Sequence, residues 1–388
     1  MMEDRIEKKT DNLMIEIRKI EPTKGNLKKF TKFQIDLYDG NPYYVPPLIS
    51  DDVATLSPDV NPAFEFCDAA YFMAYRDGKP VGRIAGIINR QVNERNNRKN
   101  ARFGFIDFID DPEVSEALLV AVENWAREKG MNRIIGPLGF TDLDHEGMLV
   151  EGFQELSTMA TIYNYSYYPA HLERLGYKKE SDWVEYLMEV PESIPDKHNR
   201  IAEIVKKKFG LRVLKYTNRK RIKTEYGRAL FHLINDAYDG LYEYSHLTER
   251  QIDYYINIYL GLLNLDLVTL IVDKEDQLVG VGISMPSMSR ALQKSKGRML
   301  PLGWWHLLKG LKGKNDRVDL LLVAVKPEYQ NKGVNALLFQ DLIPYYNKYG
   351  FKYAESNPEL ETNAKVQGQW DYFSNRQHRR RRSFYKKL

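Results

Sequence analysis

An apolar run rich in β-branched residues, Val318 to Val325, stops at Pro327. Gln330-Asn-Lys-Gly333-Val-Asn335 then leads into an amphipathic stretch that ends near Tyr349. Strand, glycine loop and helix start leave several backbone N–H groups unpaired and pointing one way, with the positive end of the helix macrodipole behind them. Such a junction binds anions, phosphates above all, and Lys332 adds a point charge. The same arrangement with one glycine is also ordinary α/β architecture, so the loop needs its context. Glu355 closes the next strand, Lys352-Tyr-Ala-Glu355, where a carboxylate beside the anion loop could take a proton from a substrate.

A second segment is loaded with reactive side chains. Gly136 to Gly152 carries Asp142, Asp144, His145 and Glu146, and it runs on to Tyr163, Asn164 and Tyr165. Loops of this length are usually functional or disordered. These side chains could line a substrate pocket, with His145 or Asp142 as the base. One histidine among close acids is a poor ligand set, so no metal is expected.

Composition narrows the class. At 388 residues, 43% hydrophobic and 28% charged, the chain has the balance of a soluble globular protein and the length of about two domains. No apolar run approaches the ~20 residues that span a bilayer. The charged N-terminus lacks the apolar core of a signal peptide. The single cysteine, Cys67, excludes an internal disulfide and a cysteine-based zinc site. A cytoplasmic protein is expected.

Two segments could touch polyanions or lipid. Arg376 to Leu388 holds no acid and could meet RNA, membrane phosphates or a polyanionic cofactor, or form an edge strand. The net charge of +4 and the lack of an aromatic platform leave nucleic acid unexpected. Met299 to Lys314 sets Trp304, Trp305, Leu307, Leu308 and Leu311 beside Lys309, Lys312 and Lys314. It reads either as a helix packed on the core or as an interfacial helix with peripheral membrane contact through Trp304 and Trp305.

The elements that must position these groups repeat. After a polar arm, 1–13, the stretch 14–194 runs strand, helix, hairpin (Ala70–Tyr75 and Val81–Ile88), strand, helix, strand, helix, strand. The stretch 195–388 follows a joining helix with the same order, through the hairpin Leu267–Ile283, the strand before the loop, its helix, a helix over Thr362–Phe373 and a last strand from Arg380.

This order, twice over, resembles the GNAT (GCN5-related N-acetyltransferase) superfamily. Gln330 to Asn335 resembles its pyrophosphate loop Gln/Arg-x-x-Gly-x-Gly/Ala, with Asn335 in place of the last small residue. The resemblance implies an α/β (α+β) fold of two GNAT-like domains, each a mixed, mostly antiparallel sheet flanked by helices. It implies acetyl-CoA or a longer acyl-CoA as co-substrate, held along Val323 and Val325, by Gln330, Asn331, Lys332, Gly333, Val334 and Asn335, and by Asn363. The family's acid–base pair would fall to Glu355 and, on the later helix, Tyr372. The matching position of the first half, Asp110-Asp-Pro-Glu-Val114, is acidic and would repel a pyrophosphate, so one donor site is expected, in the second half. The implied activity is N-acyl transfer to a small-molecule or amino-lipid amine (a sphingoid base, for example) entering between the halves, with Asp144, Glu146, Tyr163, Asn164 and Tyr165 around it. A non-catalytic acyl-CoA sensor is the alternative, since Asn335 and the displaced tyrosine depart from the pattern.

Overall fold

A computed structural model describes residues 14–312 and 315–388. The polar arm 1–13 and Lys314 lie outside the described residues. Fourteen strands form one continuous sheet: β1 (Glu16–Ile20), β2 (Cys67–Arg76), β3 (Lys79–Asn89), β4 (Asn100–Phe108), β5 (Arg133–Gly136), β6 (Met148–Glu151), β7 (Lys178–Glu189), β8 (Arg212–Leu214), β9 (Val268–Val272), β10 (Leu278–Pro286), β11 (Arg317–Val325), β12 (Tyr353–Ser356), β13 (Glu359–Leu360) and β14 (Asn375–Lys387). Along the sheet the order is β1-β2-β3-β4-β5-β14-β7-β12-β11-β10-β9-β8, with β6 beside β14 and β13 beside β7.

The repeat is visible in strand direction. β2, β3 and β4 pair antiparallel and β4 then pairs parallel with β5. In the second half β9, β10 and β11 pair antiparallel and β11 pairs parallel with β12. The halves meet by exchange, however. The chain's last strand, β14, lies between β5 and β7, with Phe384 opposite Gly136 and Arg381 opposite Trp183. β7 in turn borders β12, with Leu187 opposite Glu355. The expected boundary at 194/195 separates the halves in sequence, but the sheet crosses it.

Helices cover both faces, as the apolar periodicities require. In the first half the helix Pro112–Glu128 buries Val114, Leu118 and Val122 against the sheet, and Lys24–Leu37 buries Leu27 and Phe30 on the other face. Gly86 permits the first contact, since a Cβ there would stand 2.7 Å from the Trp125 ring. In the second half Asp196–Phe209 and Asn335–Tyr349 cover one face, and Arg219–Tyr238 with Glu249–Tyr259 cover the other. The expected helix over 362–373 is broken into Ala364–Gln367 and a 3₁₀ turn, Trp370–Tyr372. Asn363 caps the first piece through Val366 N, and Gly368 ends it. Among the described residues no helix is long and apolar enough to cross a membrane.

Candidate active site

β11 and β12 pair only from Arg317↔Tyr353 to Leu320↔Ser356, and then part. β11 stays with β10 as far as Val325, after a one-residue irregularity at Leu321 (Ser284↔Leu320, then Ile283↔Leu322). Beyond Leu320 its other edge therefore has no strand partner. The carbonyls on that edge are met by side chains instead: Asn357 Nδ2 donates to Leu321 O (2.5 Å), Tyr238 Oη to Val323 O (2.9 Å) and Gln330 Nε2 to Val325 O (3.0 Å). In an antiparallel ladder a residue's N–H and C=O point to the same side. The Val323 and Val325 amides thus face the opening too, where they can pair with an extended, amide-bearing ligand.

The anion loop follows directly. Asn331 and Gly333 have φ of 60° and 80°, in the left-handed region that glycine tolerates best. A Cβ on Gly333 would also stand 2.8 Å from Ile201 Cγ2, because the helix 196–209 packs over the loop. Among the described residues no carbonyl or side chain takes the amide hydrogens of Asn331 to Asn335. Lys332 Nζ lies 5.3 Å from the Phe209 ring centre. Asn335, the oversized residue of the motif, donates through Nδ2 to Gln369 Oε1 (2.9 Å), which turns its side chain away from the amides.

Between the helix 335–349 and the sheet, an apolar pocket runs back from Asn335. Leu320, Leu338, Phe339, Leu342, Ala354 and Trp370 form most of its wall. Trp370 and Val323 line its end toward the opening, and the Trp370 Nε1 donates to Glu359 (2.9 and 3.1 Å). Burial pushes the Glu359 carboxyl up to about 8, against the pull of that N–H. Burial also pushes the Tyr238 hydroxyl up to about 12.

On the opposite face of β11 and β12 lies a buried ionic cluster. Arg379 donates through Nε to Glu185 Oε2 (2.8 Å) and through Nη2 to Glu355, and Arg381 donates to Glu185 Oε1 (2.5 Å). Arg317 stands 3.5 Å from the other oxygen of Glu355. Burial raises the Glu355 carboxyl, Arg379 opposes, and Glu185 adds to the rise. Beside it is Asp319, its register partner on β11. Both Asp319 oxygens are buried with no well-aligned hydrogen bond, although the Ser287 hydroxyl lies close. Burial, and then the charge of Glu355, pushes Asp319 up to about 8. Glu185, Glu355 and His378 lie close enough to share an ion, but Arg379 already bridges the two carboxylates.

No family model matches the chain. Protein YghO of Escherichia coli (strain K12) is 27% identical over 371 residues, covering 94% of each chain. A bacterial ceramide synthase of Caulobacter vibrioides is 28% identical over 313 residues, covering 79% of this chain and 80% of that one. Among solved structures, a tandem GNAT protein from the clavulanic acid biosynthesis pathway superposes with a TM-score of 0.55 at 12% identity, over 96% of this chain and 98% of that chain. A GCN5-related N-acetyltransferase from Sphaerobacter thermophilus gives 0.51 at 11% identity, over 96% and 95%. The chain has a tandem GNAT fold.

Within that fold the expected residues separate into those brought together and those not. Val323, Val325 and Gln330 to Asn335 do assemble on one side of the opening in the second GNAT unit. Glu355 is buried in the ion cluster, whereas Asp319 next to it has no ion-pair partner and no well-aligned hydrogen bond among the described residues. Tyr372 is turned out, 46% exposed, and accepts from Lys197 Nζ (2.8 Å), because the broken helix puts Trp370 inward instead. Asn363 is occupied with its own turn, and Asn357 takes the edge contact. Tyr163, Asn164 and Tyr165 belong to the core of the first GNAT unit. Asn164 clips both backbone groups of Leu149, and the two tyrosines pack on Tyr38. Asp144 caps the amides of Phe140 and Thr141, and His145 bonds Met159 O (3.0 Å), with burial lowering its pKa.

Asp142 accepts from Ser245 N (2.7 Å) across the boundary between the halves, where burial pushes it up to about 7. Burial, and then Asp142, raise Glu146. Arg379 and Arg381, expected in a basic tail, are fully buried, so neither can face a nucleic-acid phosphate. In the first GNAT unit Asp111 accepts from Glu113 N and Val114 N, filling the helix start where a donor would sit. Asp319, Asn357, Glu359 and Tyr238 were not singled out by sequence. Asp319 could have been: an acid in the run Val318–Val325 contradicts its hydrophobicity.

Proposed function

We propose that this protein is an acyl-CoA-dependent N-acyltransferase whose acceptor is a long-chain amine. The observation that carries the reading is Asp319, a buried carboxylate without a fixed partner, at the point where β11 and β12 part. The opening offers what the donor needs: an unpaired strand edge for the pantetheine amides, free loop amides for the phosphates, and an apolar pocket for a chain. The acceptor approaches from the Asp319 face. As the amine nitrogen bonds to the thioester carbon and the carbon–sulfur bond breaks, Asp319 takes the amine proton. The departing thiolate takes one from Glu359, which is largely protonated at neutral pH, or from Tyr238.

The relative named for ceramide, an N-acylated amino-lipid, supports a sphingoid-like acceptor, and the apolar pocket suits a long acyl chain on the donor. The decisive experiment incubates the protein with acyl-CoAs of rising length and a panel of amines. Release of free thiol together with an amide product by mass spectrometry is expected. Stabilisation by acyl-CoA without thiol release would make the protein a sensor, and no stabilisation by any acyl-CoA would end both readings.

A further inference from the structure

We propose that the segment 289–312 docks the protein on an anionic lipid bilayer. It folds as two helices, Ser289–Ser295 and Gly303–Lys312. Their inner side buries Met288, Leu292 and Leu307 with Met285, and Leu311 and Leu321 pack against the same cluster. Gly310 brings the helices together, since a Cβ there would stand 2.8 Å from Ala291 Cβ.

The outer side is open. Met299, Leu300, Leu302, Trp304, Trp305 and Leu308 are exposed, from 44% at Met299 and Leu308 to 75% at Leu300. Single exposed apolar residues are ordinary, but six within ten positions form a patch that marks an interaction surface. Its charge says with what. Residues 287–315 hold seven Lys and Arg and no acid. Lysine beside tryptophan and leucine on one helix is the composition of an interfacial element, and Lys309 Nζ sits 5.2 Å from the Trp305 ring centre. A second copy related by a two-fold axis would set this basic surface against itself, which disfavours self-association.

The segment also adjoins the strand that carries Asp319. The inner side of the segment rests on Leu321, two residues from Asp319 and part of the open edge. If the proposed function holds, docking brings the strand that carries Asp319 to the bilayer that holds an amphipathic amine, and only this last point rests on that function.

The test sediments the full chain with phosphatidylcholine vesicles, with and without phosphatidylglycerol. Binding to the anionic vesicles and a blue shift of tryptophan emission are expected, both weakened by salt. Trp304→Ser with Trp305→Ser and Leu308→Ser should lower binding about tenfold or more, and Lys309→Glu with Lys312→Glu should abolish the preference for anionic lipid. Unchanged stabilisation by acyl-CoA in both variants shows that the fold and the donor site are intact. Wild-type protein that ignores both vesicles overturns the proposal, as does a triple variant that binds like wild type. Self-association of the wild type that the triple variant loses, without vesicle binding, would assign the patch to a second copy. Failed vesicle binding with acyl-CoA stabilisation intact removes docking alone. Vesicle binding without acyl-CoA stabilisation removes only the proposed function.

Discussion

Asp319 and Glu355 stand opposite each other on adjacent parallel strands, and only one of them is tied down. Arg379 and Arg317 hold Glu355, while neither oxygen of Asp319 has an aligned donor. Two neighbouring carboxylates do not both ionise easily in a buried place. The fixed charge of Glu355 therefore helps keep Asp319 protonated until near neutrality, so that it titrates where a base is useful.

Asp319→Asn should lower kcat/KM for amine acylation by roughly 10²- to 10⁴-fold, the usual worth of a general base. In the wild type the rate should rise with pH and level off above about 8, as Asp319 loses its proton. The variant's residual rate should lack that limb. Stability should move the other way. The folded-state pKa lies above the unfolded value of about 4, so the native state holds more protons between those values and loses stability as pH rises through them. The amide cannot ionise, so the variant should melt higher than wild type at pH 8, and equal melting temperatures there would count against the buried placement.

Gly333→Glu should abolish the rise in melting temperature that acyl-CoA gives. The left-handed backbone, the contact with Ile201 and the new carboxylate all oppose phosphate at that position. Because this change strains the loop itself, Lys332→Glu serves as the gentler variant. It should weaken binding without lowering the melting temperature of the free protein. Full acyl-CoA stabilisation in both variants would move the donor elsewhere.

Much of the architecture was legible in the sequence because it is written locally. The hairpins, the helix caps at Asp111 and the loop at Gly333 follow from residues a few positions apart. The exchange of β14 and β7 was not, because it pairs residues about 200 positions apart, such as Arg381 with Trp183. For the same reason the basic run Arg379–Arg382 looked like a tail: its acidic partners on β7, Glu185 for Arg379 and Arg381 and Asp182 for Arg380 and Arg382, are equally remote. Tyr163 and Asn164 misled through composition alone, since polar side chains serve a core as well as a pocket once their hydrogen bonds are met. The helix over 362–373 failed at Gly368, where intrinsic weakness outweighed the pattern.

Arg379→Leu should be strongly destabilising. It leaves Glu185 and Glu355 buried with less compensation, a kind of loss that costs roughly 3–5 kcal/mol. The urea midpoint should drop accordingly, and the change should be felt in both halves, because Arg379 lies on the exchanged strand and reaches carboxylates on β7 and β12. A midpoint within error of wild type would mean that the pair is solvated in solution.

The apolar pocket predicts how chain length is chosen. Gly282 forms part of its wall, and a Cβ there would meet only Leu338 and Leu342 side-chain tips, at 3.3 and 3.5 Å. Gly282→Val should therefore fold with little loss while filling space. Each methylene that no longer fits forfeits about 1 kcal/mol or more. The rate with long acyl-CoAs should fall about tenfold or more, while the rate with acetyl-CoA, which has no chain to fill the pocket, should stay within about twofold. Equal losses for short and long donors would show that the valine harms the strand itself, and unchanged preference would show that the chain runs another way.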